Sequence, residues 1–346
     1  MKEKIKKITF KLESSFIATV IRHGLAVMIP FVLTGGIANA LLNFPIEAYQ
    51  KFINDTLLSH FLETVYIGTF GLFSFAMLIA LSTSYCMEKN MTIDKTILYV
   101  LVSIGAFGAQ FYNAHGTYNI DMLDVKGCFF AIITSLVSCA LLERLQKIPQ
   151  LNFREYTSGM ERITALAISL LFPAMIVIFL FVFATQFLLI TFNVSSLYEL
   201  MSNFMCSIFD NVHNEFLKGM LYTVLLHFMW AFGLHGSHIL EPVATTTFAL
   251  GSSGDIFSKS FFDVYVVMGG CGTTICVLLA ILLFMRNTKL RKIAELSSFT
   301  VIFNLNEILT FGIPILLNPL LIIPFVLTPV MCYSISFLAT YVGLVP

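Results

Sequence analysis

The sequence predicts an all-α polytopic membrane protein, with about eight to nine transmembrane helices plus re-entrant hairpins. Three observations predict it. Of the 346 residues, 58% are hydrophobic and only 12% charged, where soluble domains carry about a quarter charged. The apolar residues fall in long runs, without the polar–apolar alternation of a membrane barrel. The distal part interrupts those runs with prolines and polar residues, a pattern of broken segments inside a membrane.

Taken in order, residues 1–23 carry Lys2, Lys4, Lys6, Lys7, Lys11 and Arg22 around Ile5, Ile8, Phe10, Leu12 and Phe16. This suits an amphipathic helix on the cytoplasmic surface, its lysines near anionic headgroups. A first span is expected over 24–44, interrupted by Pro30 and the Gly35–Gly36 pair, whose small size lets helices approach closely. Further spans are expected near 65–87, 96–112, 127–145 and 163–192, making 24–193 a scaffold region. Beyond it, 194–346 is expected to hold the substrate region. Within that region 194–210 is amphipathic, 216–234 and 262–285 are apolar enough to cross, and 235–261 must return without a continuous apolar helix. A re-entrant hairpin or a pair of oblique half-helices satisfies the parity, and a last apolar stretch follows at 320–344.

Charge orients these elements. With the N-terminus inside, sixteen of the twenty Lys and Arg fall on the cytoplasmic side, as the positive-inside rule requires. The formal net charge is zero and the charges are sorted by loop, which gives no basic patch for nucleic acid. The seven cysteines have no CxxC spacing and lie mostly in apolar runs, where they read as small packing residues. No cleavable signal peptide is evident.

Two stretches carry chemistry. In FNLNEILTFGIPILLNPLLIIPFVLTPV (303–330), Glu307 lies among apolar residues with Asn304, Asn306 and Asn318 on either side. A carboxylate at bilayer depth costs roughly 2.5–3.5 kcal/mol and normally marks a site or a pathway. Pro314, Pro319, Pro324 and Pro329 follow at a spacing of five, and each deprives a carbonyl of its helical donor. Broken backbone of this kind is tolerated where it is buried in protein or lines a watery cavity. The segment is therefore expected to be discontinuous and to present Glu307 to a polar solute. The plainer alternative is a kinked helix with Glu307 near the interface.

The second stretch, HFMWAFGLHGSHILEP (227–242), holds His227, His235, His238, the sole tryptophan Trp230, Gly233, Gly236 and Glu241. His235-Gly236-Ser237 suggests a helix end with exposed amides. An imidazole near Glu307 can hydrogen-bond sugar hydroxyls, and Trp230 can offer an apolar face to a sugar ring, the mix that sugar pockets use. Two rivals stand beside it. His235, His238 and Glu241 share one face at i, i+3 spacing and suit a metal, although the glycines and Pro242 argue against one clean helix. Gly251-Ser252-Ser253-Gly254 matches the G-x-S-G of intramembrane serine proteases but sits in a polar loop. His227, inside an apolar run, reads as a packed core histidine. The site assignment calls for no metal and no cofactor.

Together these stretches resemble the membrane component, enzyme IIC, of the bacterial phosphoenolpyruvate-dependent sugar phosphotransferase system, in its lactose/cellobiose/diacetylchitobiose branch. The resemblance rests on HFMWAFGLHG (227–236), FNLNEILTFGIPILLNP (303–319) and, more weakly, GLAVMIPFVLTGG (24–36). It implies a homodimeric, multi-pass permease of the bacterial inner membrane, embedded in lipid, with re-entrant hairpins around an occluded disaccharide, and it adds dimerisation to the scaffold region 24–193. Such a permease presents the sugar's 6-hydroxyl to a phosphocysteine on a separate IIB subunit, which IIA supplies. Carried over residue by residue, Glu307 and His235 are the reacting pair, with Asn304, Asn306, Gly236, Trp230, His238 and Asn318 around the substrate. The chain departs from the family pattern at Ile308, where a proline is usual, and at 151–160, where a proline-rich stretch is usual. It also ends at Pro346, where the family pattern adds a loop and a closing helix, as expected of a fragment, a truncation or a domain boundary. A sugar-sensing membrane domain joined to cyclic-dinucleotide signalling is the alternative from a different class. An ion-coupled transporter that uses Glu307 as a proton carrier is a third.

Overall fold

The computed structural model describes residues 14–113, 116–153, 157, 159–248, 258–286, 289–313 and 315–344. Most of the basic amphipathic segment expected over 1–23, the Gly251–Gly254 motif and Pro314 lie outside the described residues. Helix dominates, and among the described residues the one β interaction is an isolated antiparallel bridge between Tyr112 and Tyr118.

Where the sequence predicts eight to nine spans, four described helical runs are long and apolar enough to cross a bilayer alone: Leu58–Glu88, Val125–Leu145, Leu171–Phe192 and Pro319–Tyr341. Phe16–Val27 with Ile29–Leu42 makes a fifth if the two count as one span. At 1.5 Å per residue, the 22 residues of Leu171–Phe192 reach about 33 Å, enough for a hydrocarbon core of about 30 Å. The other expected spans are shorter helices, Ile93–Gly108 with 16 residues, Glu215–Ala231 with 17 and Thr274–Phe284 with 11.

The chain folds into two compact units, one of residues 19–28 and 71–201, the other of 1–18, 29–70 and 202–346. In the first, Phe73–Glu88, Ile93–Gly108 and Cys128–Leu145 meet on small polar faces. Ser82, Ser103, Ser135 and Ser138 are fully or almost fully buried there. Ser103 Oγ and Ser138 Oγ lie 2.7 Å apart, and Gln110 Nε2 donates to Thr134 Oγ1 at 2.6 Å. Lipid offers no hydrophobic drive between helices, so small residues and interhelical hydrogen bonds hold such a bundle. Leu171–Phe192 instead turns Phe179, Phe183 and Phe187 outward at intervals of four, an apolar stripe along a single helix face.

Charge gathers at one end of this unit. Glu143 accepts from Tyr85 Oη at 2.7 Å and pairs with Lys89 at 3.0 Å and Lys147 at 3.3 Å. Arg162 pairs with Asp94 at 3.3 Å, and His23 Nδ1 lies 2.7 Å from Glu88. Pairs this exposed add little stability. Their geometry nevertheless places 23, 88–94, 143–147 and 162 at the same end.

In the second unit, Asn214 caps Glu215–Ala231 by accepting from Leu217 N at 3.0 Å, with Glu215 in the first turn, where an acidic group suits the helix dipole. Asn318 caps Pro319–Tyr341 in the same way through Leu320 N at 3.1 Å, with Pro319 at the favoured first position. That helix runs through Pro324 and Pro329, so these two prolines do not end it. The discontinuity that the sequence predicts is confined to 303–318. Tyr333 is buried against Glu215–Ala231, and its hydroxyl donates to the Phe216 carbonyl at 2.9 Å. Tyr333→Phe removes that hydrogen bond and is expected to cost about 1 kcal/mol, measurable as a lower unfolding midpoint in detergent.

Candidate functional site

Four segments of the second unit converge. The first is the C-terminal end of Glu215–Ala231, where Trp230 is buried and its indole N–H has no hydrogen-bond partner. His227, one turn earlier, is fully buried, and its Nδ1 donates to the Thr223 carbonyl at 2.7 Å. Its Nε2 has no partner, so the expected packed core histidine is satisfied on one nitrogen alone.

The second segment begins where Gly233, at φ 79°, reverses the chain, with Gly233 N and Leu234 N bonding back to the Trp230 and Met229 carbonyls. This is the left-handed stop that ends many helices. His235 then caps the four-residue helix Gly236–Ile239. The His235 ring lies 4.6 Å, centroid to centroid, from both the Trp230 and the His238 rings. His238 Nδ1 lies 3.7 Å from Glu241 Oε2. Gly236 packs onto the Leu226 carbonyl, where a β-carbon would collide. Among the described residues no three His, Cys, Asp or Glu are poised around a metal, and His235 faces rings rather than the Glu241 carboxylate.

The third segment is one the sequence reading did not single out. A continuous span was expected over 262–285. The chain instead makes a π turn at Phe262–Val266, then a tight turn, before Thr274–Phe284 begins. Gly269, Gly270, Gly272 and Thr273 all have positive φ, which no helix can carry. The residues GGCG (269–272) are the signal that reveals the break, because glycine is the residue that adopts such backbone freely. Gly270 has a second constraint, since a β-carbon there would lie 2.7 Å from the Asn306 side chain.

The fourth segment, 303–318, holds that turn. Asn304 Oδ1 accepts from Gly269 N at 2.7 Å and Gly270 N at 3.1 Å. Asn306 Nδ2 donates to the Cys271 carbonyl at 2.8 Å and Thr274 Oγ1 at 3.1 Å. Asn304 and Asn306 are thus both engaged with backbone, and Asn318 is a helix cap, so the three asparagines shape the segment. Glu307 opens the six-residue helix Glu307–Gly312 and is 7% exposed, with Oε2 unpaired. Beyond the helix, Leu317 N donates to the Ala231 carbonyl at 2.9 Å, tying this segment directly to the end of the Trp230 helix. Gly36 of Ile29–Leu42 leaves room for Leu305.

Cys271 marks where the segments meet. Its Sγ lies 4.0 Å from Ser237 Oγ, its carbonyl accepts from Asn306, the neighbour of Glu307, and it belongs to the same buried cluster as Trp230. Trp230, Ser237, Cys271 and Glu307 therefore share one neighbourhood, with the His235 ring packed at a tilt against Trp230. An unpaired donor at Trp230 and an unpaired acceptor at Glu307, both buried, leave hydrogen-bonding capacity that a hydroxyl-bearing solute can meet.

The chain is similar to known proteins along nearly all of its length. The chain is 25% identical to the oligo-beta-mannoside-specific EIIC component of Bacillus subtilis (strain 168), over 98% of this chain and 80% of the relative. It is 24% identical to the cellobiose-specific EIIC component of Geobacillus stearothermophilus, over 100% of this chain and 82% of the relative. The fold is similar to the crystal structure of ChbC, the IIC component of an N,N'-diacetylchitobiose-specific phosphotransferase system. That likeness has a TM-score of 0.52 at 23% identity, over 99% of this chain and 85% of that one. The family model "Phosphotransferase system, EIIC" matches residues 22–329, and the chain belongs to that family of integral membrane sugar permeases.

Proposed function

We propose that this EIIC protein binds a β-linked disaccharide at the convergence of the four segments and presents a sugar hydroxyl for phosphorylation by a IIB partner. The buried Glu307 carboxylate carries the proposal: one oxygen is unpaired, and the element bearing it is too short and too broken to be a lipid-facing helix. The names of the relatives, specific for oligo-beta-mannoside and cellobiose, support a β-linked sugar.

In this reading Glu307 Oε2 accepts the hydroxyl proton while the hydroxyl oxygen attacks phosphorus on the IIB phosphocysteine. The O–P bond forms, the P–S bond breaks and the thiolate leaves on IIB. Positioning and a nearby base are what phosphoryl transfer needs from a protein. His235, wedged between Trp230 and His238, orients the hydroxyl, and Trp230 offers an apolar face to the ring. Gly236, His238 and Asn318 complete the wall, and Asn304 and Asn306 keep the glycine turn in place. The setting is the bacterial cytoplasmic membrane with the N-terminus inside, the protein a homodimer in lipid, and IIA the source of IIB's phosphoryl group.

The test is binding by purified protein over a panel of β-linked disaccharides, followed by phosphorylation with charged IIB supplied. Failure of folded protein to bind any of them defeats the reading. His235→Ala is expected to weaken binding about tenfold, the scale of one lost hydrogen bond inside a closed site. Unchanged binding would make His235 structural.

A further inference from the structure

Ile29–Leu42 carries two adjacent buried glycines, Gly35 and Gly36, and belongs to the same unit as the site segment 303–318. A β-carbon at Gly35 would collide with Thr69 Oγ1 and the Phe70 ring, whereas one at Gly36 would collide with the Leu305 side chain. Neighbouring residues on a helix point about 100° apart, so the two glycines serve two separate contacts. Gly35 closes Ile29–Leu42 onto the end of Leu58–Thr69, which makes 29–70 a packed helical hairpin. Gly36 leaves a notch on that hairpin, and Leu305 fills it. Just past the end of Ile29–Leu42 there is a second contact, where the Phe44 and Phe303 rings lie 6.5 Å apart.

The site segment is therefore held from two directions. Asn304 and Asn306 bind it to the glycine turn, and Leu305, between them in sequence, seats it on the hairpin. Glu307 follows two residues after Leu305 and opens a helix of only six residues. A helix that short has no stability of its own, so the place of the Glu307 carboxylate is set by what packs against the residues just before it.

We infer that the hairpin 29–70 positions the Glu307 carboxylate through Leu305 seated against Gly36, which makes Gly36 and Leu305 positioning residues for the phosphoryl transfer proposed above. This role rests on the reading of Glu307 as the base that takes the hydroxyl proton. Proton transfer is the step most sensitive to such placement, because a misplacement of about 1 Å can cost about 10²-fold in rate. Binding is less sensitive, since Trp230 and His235 are carried by other segments.

Purified Gly36→Val, compared with wild type for disaccharide binding and for phosphorylation by charged IIB, tests this. Turnover is expected to fall about tenfold to a hundredfold while the sugar Kd changes by less than about threefold. Adding Leu305→Ala to Gly36→Val makes room again and is expected to recover most of the lost turnover, although Leu305→Ala alone lowers it. Recovery of that kind marks direct coupling between neighbours, which a general loss of fold does not produce. Gly68→Ala, in the same hairpin with open space around its β-carbon, is expected to match wild type. If Gly36→Val does not fold, Gly36→Ala gives the same readings with a smaller fall in turnover, since its one methyl meets only flexible side-chain atoms of Leu305. Wild-type turnover in the folded Gly36 variants, or no recovery on adding Leu305→Ala, overturns the positioning role and leaves the reading of Glu307 standing. A parallel loss of turnover and sugar binding makes the contact packing alone and overturns it as well. Wild-type turnover in Glu307→Gln defeats the reading of Glu307, and the positioning role with it.

Discussion

Glu307→Gln is expected to abolish phosphoenolpyruvate-driven sugar uptake while the protein remains folded. The two side chains are nearly the same size, so packing around the six-residue helix Glu307–Gly312 is kept and no cavity opens. What disappears is the ability of the unpaired Oε2 to take a proton. A positioned general base contributes about 10²–10⁴-fold to proton transfer, so phosphorylation by charged IIB is expected to fall by about that factor. Sugar binding should fall far less, because the amide still offers an oxygen to a hydroxyl. Phosphorylation and binding measured on the same purified variant separate the two roles. Wild-type phosphorylation by the Gln variant removes Glu307 from the chemistry, and a parallel loss of both makes it a binding group alone.

Asn304→Leu is expected to do the largest structural damage. Its side-chain oxygen is the acceptor for Gly269 N and Gly270 N. Gly270 N keeps the Val267 carbonyl at 2.9 Å, but Gly269 N loses its acceptor, and orphaning a buried N–H costs roughly 1–3 kcal/mol, against a total stability of about 5–15 kcal/mol for a typical domain. Asn304 also sits at φ 61°, a left-handed conformation that asparagine adopts at less cost than leucine. A low folded yield, a depressed unfolding midpoint and loss of sugar binding are expected together. Asn304→Asp keeps an oxygen acceptor and tolerates the same backbone, so it is expected to recover most of the midpoint. If the Leu variant matches wild type in midpoint and binding, the glycine turn does not shape the site.

Much of this was legible in the chain. Long apolar runs announced a helical membrane protein, because a bilayer admits only backbone that satisfies itself. Glu307 stood out because a carboxylate in such a run is costly, and the unusual cluster of Trp230, His235 and His238 in 227–242 marked the second stretch. Other features were less legible. The prolines at 324 and 329 suggested breaks that the structure does not make, since Pro319–Tyr341 continues through them. The break at 269–273 lay inside a stretch whose hydropathy reads as one span, because hydropathy counts apolar atoms and is blind to φ. Asn304 and Asn306 looked like ligands for a solute until their partners, some 35 residues away in the chain, became visible.

The sequence by itself determined the medium, the helical class and the residue types that can grip a hydroxyl, for these follow from transfer free energies and side-chain chemistry. Only the tertiary structure decided which of those groups are already satisfied. Pairing depends on backbone from distant segments arriving within about 3 Å, and that arrival is a property of the packed fold. Asn304, Asn306 and Asn318 are engaged there, whereas Glu307 Oε2 and the Trp230 N–H are left unmet.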